Sequence, residues 1–247
     1  MIVPMHFPTS EQKLLPGPAA CADEQPCWRS RSLLAAALLA TLASGPVAAV
    51  VPGHPAPSFA LTTLDGKPVS LAELKGKWVA LEWTNPDCPF VQKHYSAGNM
   101  QATQRAAAES KVVWVQINST NPGHPDHKSA RQMSEWLVAM KASPAYAALD
   151  ESGAVGKAYA AKTTPHMYLI DPGGQLVYNG AIDDRRSTNP ADIPGARNHV
   201  KAAIAEAVSG KPVSVPATTP YGCSIKYRPD PPRTQGHSAT AGAGGKP

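Results

Sequence analysis

Several features are missing from this sequence, and each absence narrows what it encodes. No run of basic residues and no interleaving of basic with aromatic ones occurs, which excludes a nucleic-acid-binding face. The net charge of +5 therefore reads as a solvated, mildly basic surface. The most apolar run, residues 33–43, is shorter than the about 20 residues that a permanent bilayer-spanning helix needs. No internal repeat is present. No aspartates or glutamates are framed on facing elements as a paired-carboxylate hydrolase requires. Charged residues make only 17% of the chain against 43% hydrophobic, which excludes wholesale disorder. Cysteine is scarce, with 4 in 247 residues, so thiol chemistry rests on very few positions.

Proline, in contrast, is abundant. Its 26 occurrences are about twice the usual share, and they crowd the first 60 residues, the 190s and the last 40. The expected organisation is a leader over 1–49, one folded domain over 50–228, and a compositionally disordered tail over 229–247. The leader follows the secretory plan. Arg29 and Arg31 precede the apolar run, Gly45-Pro46 follow it, and the small residues Val47-Ala48-Ala49 offer a cleavage site. Arg29-Ser30-Arg31 is not a twin-arginine pair, so the general secretion route is expected. The protein is expected to be periplasmic or secreted after cleavage near Ala49, and membrane-attached only if the leader is retained. Processing would remove Cys21 and Cys27 and leave Cys88 and Cys223. In an oxidising compartment these two are expected to meet in a disulfide or to cycle through one. The leader carries three basic and three acidic side chains (Lys13, Arg29, Arg31; Glu11, Asp23, Glu24), so its loss leaves the +5 unchanged.

Within the domain, residues 57–71 read as two short strands around an Asp65-Gly66 turn, and residues 71–76 as a single helical turn. Trp78–Trp83 is a near-continuous apolar run, as in a buried parallel strand. A helix is expected from Cys88 to about Ser110, broken near Gly98, followed by a second buried strand at residues 112–117. Residues 126–141 have helical spacing, 145–149 form a weaker strand and 153–160 a short helix. A hairpin turns on Asp171-Pro172-Gly173-Gly174, and an Ala-rich helix over 196–208 ends at Gly210. This order predicts an α/β fold with a mixed sheet flanked by helices and an N-terminal hairpin extension.

Cys88 falls between the end of a buried strand and the start of a helix, with Pro89 at the first helical position. The sulfur then faces free backbone N–H groups and the positive end of the helix dipole, an arrangement that favours thiolate. Asp87 beside it acts in the opposite sense. Thiolate is the species that attacks disulfides and peroxides. His94 and His166 are both candidates to approach Cys88, where they would complete a soft copper or zinc site, or, for His166, pack or tune the thiol. The loop His124-Pro125-Asp126-His127 reads as solvated, and Asp183-Asp184-Arg185-Arg186 as a surface turn with paired charges.

Three segments carry a resemblance: Trp83-Thr-Asn-Pro-Asp-Cys-Pro-Phe90, Thr163-Thr-Pro-His-Met-Tyr-Leu-Ile-Asp171 and Tyr221-Gly-Cys-Ser-Ile-Lys-Tyr227. Together they are similar to the redoxin, or alkyl hydroperoxide reductase/thiol-specific antioxidant, superfamily, and to its peroxiredoxin-like subgroup. The resemblance covers about residues 57–227. It implies a thioredoxin-like fold in which Thr164-Pro165 is a cis-proline loop beside the reactive cysteine. It implies Cys88 and Cys223 as catalytic residues, with Asn85, Pro89, Thr164 and Pro165 positioning the substrate and no cofactor or resident metal. The expected partners are a thiol, disulfide or peroxide substrate and a reducing protein. Two departures stand out. Val91 occupies the place of a thioredoxin's second cysteine, and Asn85 and Leu81 stand where peroxidatic sites usually carry Thr or Ser and Pro. The resemblance thus implies a redox thiol more directly than a peroxidase. Cys223 is then either the resolving partner of Cys88 or half of a permanent disulfide in a binding module that carries copper or a partner protein.

Overall fold

The computed structural model describes residues 50–229. The expected leader over 1–49, with Cys21 and Cys27, and the tail beyond Pro229 lie outside the described residues. In chain order the strands are β1 (Ala60–Thr63), β2 (Pro68–Ser70), β3 (Trp78–Trp83), β4 (Val112–Asn118), β5 (Tyr146–Leu149), β6 (Thr163–Thr164), β7 (His166–Ile170), β8 (Leu176–Gly180) and β9 (Cys223–Ser224). The helices are α1 (Pro89–Ser96), α2 (Asn99–Glu109), α3 (Ala130–Ala139), α4 (Ala154–Ala158) and α5 (His199–Val208), with a 3₁₀ segment at Pro190–Gly195.

Seven strands form one sheet in the order β2-β1-β5-β4-β3-β7-β8, and β6 pairs only with β9. β3 and β4 are parallel, as are β4 and β5, because a helical crossover joins each pair. β7 runs antiparallel to β3, and β8 returns beside it through the expected Asp171–Gly174 turn. The N-terminal hairpin is part of the sheet, since β1 pairs with β5 as well as with β2. This is the mixed sheet that the order of elements predicts and the thioredoxin-like architecture that the resemblance implies.

Strand alternation sorts the core onto two faces. Ala80, Trp114, Met167, Leu169 and Tyr178 meet the apolar sides of α1, α2 and α5. Val79, Leu81, Trp83, Val115, Ile117, Tyr168 and Ile170 meet Phe59, Leu74, Val155 and Tyr159 on the opposite face. Each such large side chain contributes about 1.5–3 kcal/mol when fully buried. Glu82, between Leu81 and Trp83, therefore points to the face that α1 and α2 cover, where it is wholly buried.

Some local expectations shift. The segment after Cys88 breaks at Gly98, whose φ of 69° lets the chain turn between α1 and α2. α3 begins only at Ala130, because Ser129 and Gln132 close a reciprocal capping box there. Residues 71–76 form turns rather than a helical turn. Among the described residues no helix is long and apolar enough to cross a membrane.

Candidate active site

β3 delivers the chain to Cys88 through the turn at residues 84–87. Cys88 is the N-cap of α1 with an extended backbone (φ −79°, ψ 120°), and Pro89 takes the first helical position, exposed to solvent. The Cys88 side chain makes no capping bond. Its Sγ instead lies 3.0 Å from the Thr164 carbonyl oxygen, to which the thiol donates. Thr164 precedes Pro165 through a cis peptide, as the resemblance implies. Asn85 shapes the turn: its amide donates to Thr120 Oγ1 at 2.8 Å, and its carbonyl accepts from the Asp87 backbone N–H at 2.9 Å.

The second cysteine arrives from the far end of the domain. β9 pairs antiparallel with β6 so that Cys223 stands opposite Thr164, the residue whose carbonyl faces Cys88. Gly222 makes this approach possible. Its φ is 142°, and a Cβ there would lie 2.0 Å from the Thr164 oxygen. Cys88 and Cys223 are both free thiols. Burial pushes the Cys223 thiol up to about 12; the neighbouring Cys88 pushes the same way, while Lys226 opposes them. Cys223 thus keeps its proton at ordinary pH. Cys88 is almost completely buried, and Cys223 is half-buried. Both line a cavity of about 90 Å³ with Asn85, Asp87, Thr164 and Lys226. A larger groove of about 570 Å³ shares Asp87 with it and is walled by Pro86, Tyr95 and Trp136.

The histidines face elsewhere. His94 Nδ1 accepts from the Asn99 amide at 2.8 Å, and its Nε2 lies 3.2 Å from the Tyr221 hydroxyl. His166 Nε2 lies 2.8 Å from Asn179 Oδ1, and its Nδ1 faces the Lys162 N–H and the Tyr168 hydroxyl. Burial lowers both imidazoles to about 4, so both are neutral at ordinary pH. With their nitrogens committed to protein partners, they do not join Cys88 in the metal site that the sequence allowed as an alternative. Among the described residues no other cluster of His, Cys, Asp and Glu is arranged to hold a metal. In the 124–127 loop, His127 pairs with Glu151 at 3.0 Å.

Sequence reasoning missed three buried carboxylates, Glu82, Asp150 and Asp183. Asp183 does not belong to a surface turn: it is buried, 3.7 Å from the equally buried Lys93 ammonium, while Asp184 beside it is exposed. Its neighbours Asp184, Arg185 and Arg186 made the tetrapeptide look solvated, and its counter-ion is remote in sequence. Glu82 accepts from Tyr95 Oη and Trp114 Nε1, each at 2.8 Å, and from Gln104 and Gln116 at longer range. Burial outweighs those four donors and raises its carboxyl to about 7. A lone glutamate inside an apolar strand was the available signal, because a buried carboxylate demands partners.

A thiol at a helix start, a cis-proline beside it and a mixed sheet behind both define a thioredoxin-fold redoxin. More narrowly, the chain belongs to the AhpC/TSA family, whose model matches residues 52–179. A search of curated proteins found no match. Among solved structures, an uncharacterized conserved protein from Geobacillus kaustophilus is similar at 28% identity and a TM-score of 0.63, over 73% of this chain and 94% of that one. A hypothetical protein from Sinorhizobium meliloti 1021 is similar at 26% identity and a TM-score of 0.62, over 73% and 96%.

Proposed function

We propose that this protein is an exported thiol oxidoreductase that cycles between a Cys88/Cys223 dithiol and the corresponding disulfide. The observation that carries this reading is the meeting of the two thiols beside Thr164, on the wall of one small cavity. Cys88 is the nucleophile, since it begins α1 and Cys223 is the partner that retains the proton. Asn85, Pro89, Thr164 and Pro165 position the substrate around it.

The small cavity above a buried Cys88 favours a small oxidant, either a low-molecular-weight disulfide or a hydroperoxide. With a disulfide RSSR, Cys88 thiolate forms Cys88–S–S–R and expels RS⁻. Cys223 then attacks Cys88, closes the internal disulfide and releases the second RS⁻. With a hydroperoxide ROOH, Cys88 becomes a sulfenic acid and releases ROH, and condensation with Cys223 releases water. Membership of the AhpC/TSA family supports the peroxide arm. A reducing partner protein restores the dithiol. The leader that the sequence predicts supports export, and so an oxidising compartment.

Mass spectrometry of the reduced protein, after exposure to each oxidant, tests the cycle. The expected product has lost two hydrogens and yields a Cys88–Cys223 crosslinked peptide. Cys88→Ser is expected to reduce oxidant consumption to the uncatalysed rate, whereas Cys223→Ser should stop at the mixed disulfide or sulfenic acid. Undiminished turnover by Cys88→Ser would rule the reading out.

A further inference from the structure

The chain is fixed two residues before Cys223, at Tyr221, which is buried. The Tyr221 hydroxyl donates to Asp183 Oδ1 and lies 3.2 Å from His94 Nε2. Because Asn99 donates to His94 Nδ1, the neutral imidazole carries its proton on Nε2 and donates it to Tyr221. The Tyr221 ring meets Phe90 edge-on at 5.7 Å, and the Lys93 ammonium lies 5.8 Å from its centre. Phe90, Lys93 and His94 all belong to α1, the helix that Cys88 begins.

Asp183 completes the anchor. It accepts the Arg185 backbone N–H at 3.0 Å and pairs with Lys93, whose ammonium also donates to the Arg185 carbonyl at 2.7 Å. Burying an ion pair costs desolvation energy and is a poor way to gain stability, so its use here calls for a positional reason. The position it serves is the approach to Cys223. Only Gly222 separates Tyr221 from that cysteine, and Gly222 is pressed against the Thr164 carbonyl.

We propose that Tyr221 is a positioning residue, whose anchorage on α1 and Asp183 holds Cys223 against Cys88 and sets the effective concentration of the resolving thiol. This rests on the reading of Cys223 as the resolving cysteine. The step it acts on is the second exchange: Cys223 attacks Cys88–S–S–R, a Cys88–Cys223 bond forms as the Cys88–S–R bond breaks, and the departing thiolate takes up the proton that Cys223 loses. Overall, one RSSR is reduced to two RSH while the protein dithiol is oxidised to one disulfide.

The test equilibrates the full chain with reduced and oxidised glutathione and measures the effective concentration of Cys223 against the Cys88–glutathione mixed disulfide. The first-step rate of Cys88 with oxidised glutathione is measured separately in a Cys223→Ser background. Tyr221→Phe keeps the ring packing and removes the hydroxyl. Its effective concentration should fall about tenfold, as for loss of a hydrogen bond to a charged group, with the first-step rate changed less than about twofold. Asp183→Asn should shift the effective concentration in the same direction, and thermal unfolding should show each variant folded. An unchanged effective concentration in Tyr221→Phe would overturn the anchor and leave the dithiol cycle standing. So would an equal loss in the first-step rate, because it would mark a general disturbance of the domain. A wild-type chain that forms only the mixed disulfide would overturn the cycle itself, and the anchor with it.

Discussion

Two buried carboxylates, Glu82 and Asp183, each accept a hydrogen bond from a tyrosine hydroxyl, and each is tied to α1. They solve the problem of burial in opposite ways. Glu82 is surrounded by neutral donors from β4, α1 and α2, all within the central layer of the domain, and its carboxyl holds its proton to about pH 7. Asp183 faces a buried lysine and forms an ion pair, with its tyrosine on the C-terminal segment that carries Cys223. The neutral arrangement binds strand to helix inside the core. The ionic one binds the helix of one cysteine to the strand of the other. A charge pair suits the second task, since its strength falls away steeply if either partner is displaced from a dry site.

The harshest way to break this contrast is to remove one charge from the ionic cluster. Lys93→Met leaves Asp183 buried with only the Tyr221 and Arg185 donors, and is expected to lower unfolding free energy by about 3 kcal/mol or more. Adding Asp183→Asn to that variant should restore part of the loss, because the orphaned charge disappears. Urea unfolding of the two variants at neutral pH measures both values. A Lys93→Met loss below about 1 kcal/mol would show that the pair does not anchor the segment.

How these clusters fared in sequence reasoning follows from what holds them. β3, β4 and the Asp171–Gly174 hairpin were legible because their signals are local: apolar runs of strand length and a turn tetrapeptide. The break at Gly98 was legible for the same reason. Cys88 and Cys223 could be paired because the other two cysteines fall in the expected leader, and Thr164-Pro165 because the family motif places it. Asp183 was not legible, since a run of aspartates and arginines has the composition of a solvated turn and Lys93 is distant in sequence. His94 and His166 were candidates to approach Cys88, yet helix phase and strand alternation turn them toward Tyr221 and Asn179. Periodicity tells which face is buried, and long-range pairing decides which polar groups that face accepts.

The neutral cluster yields a pH signature of its own. Glu82 titrates near 7 in the folded protein and near 4.5 when unfolded. Between those values the folded state holds a proton that the unfolded state has lost, so this group's contribution to stability is present below pH 4.5 and disappears as pH rises through 7. The interval is worth about 3 kcal/mol. His94 and His166 act in the opposite direction: burial lowers both to about 4, so their contribution is present above pH 6.5 and is lost as pH falls toward 4. The Glu82 component is isolated by comparing wild type with Glu82→Gln. The free-energy difference between them should change by about 3 kcal/mol in favour of Glu82→Gln between pH 4.5 and 7.5. Parallel curves would show that Glu82 is ionised in the folded core.

The surface supplies the control for the buried pair, with the smallest effect. Lys128 and Asp87 form a close ion pair beside Cys88 at 2.5 Å, but Asp87 is 43% exposed where Asp183 is 1%. Water already solvates both charges, so little is lost when one is removed. Lys128→Ala is expected to cost no more than about 1 kcal/mol at low salt, and still less at about 1 M salt, where screening shortens the reach of surface charges. Lys93→Met should keep nearly all of its penalty in the same salt, because ions do not enter its site. If the two variants responded alike to salt, the Lys93–Asp183 pair would have to be open to solvent, and the distinction between an anchor and a surface contact would fail.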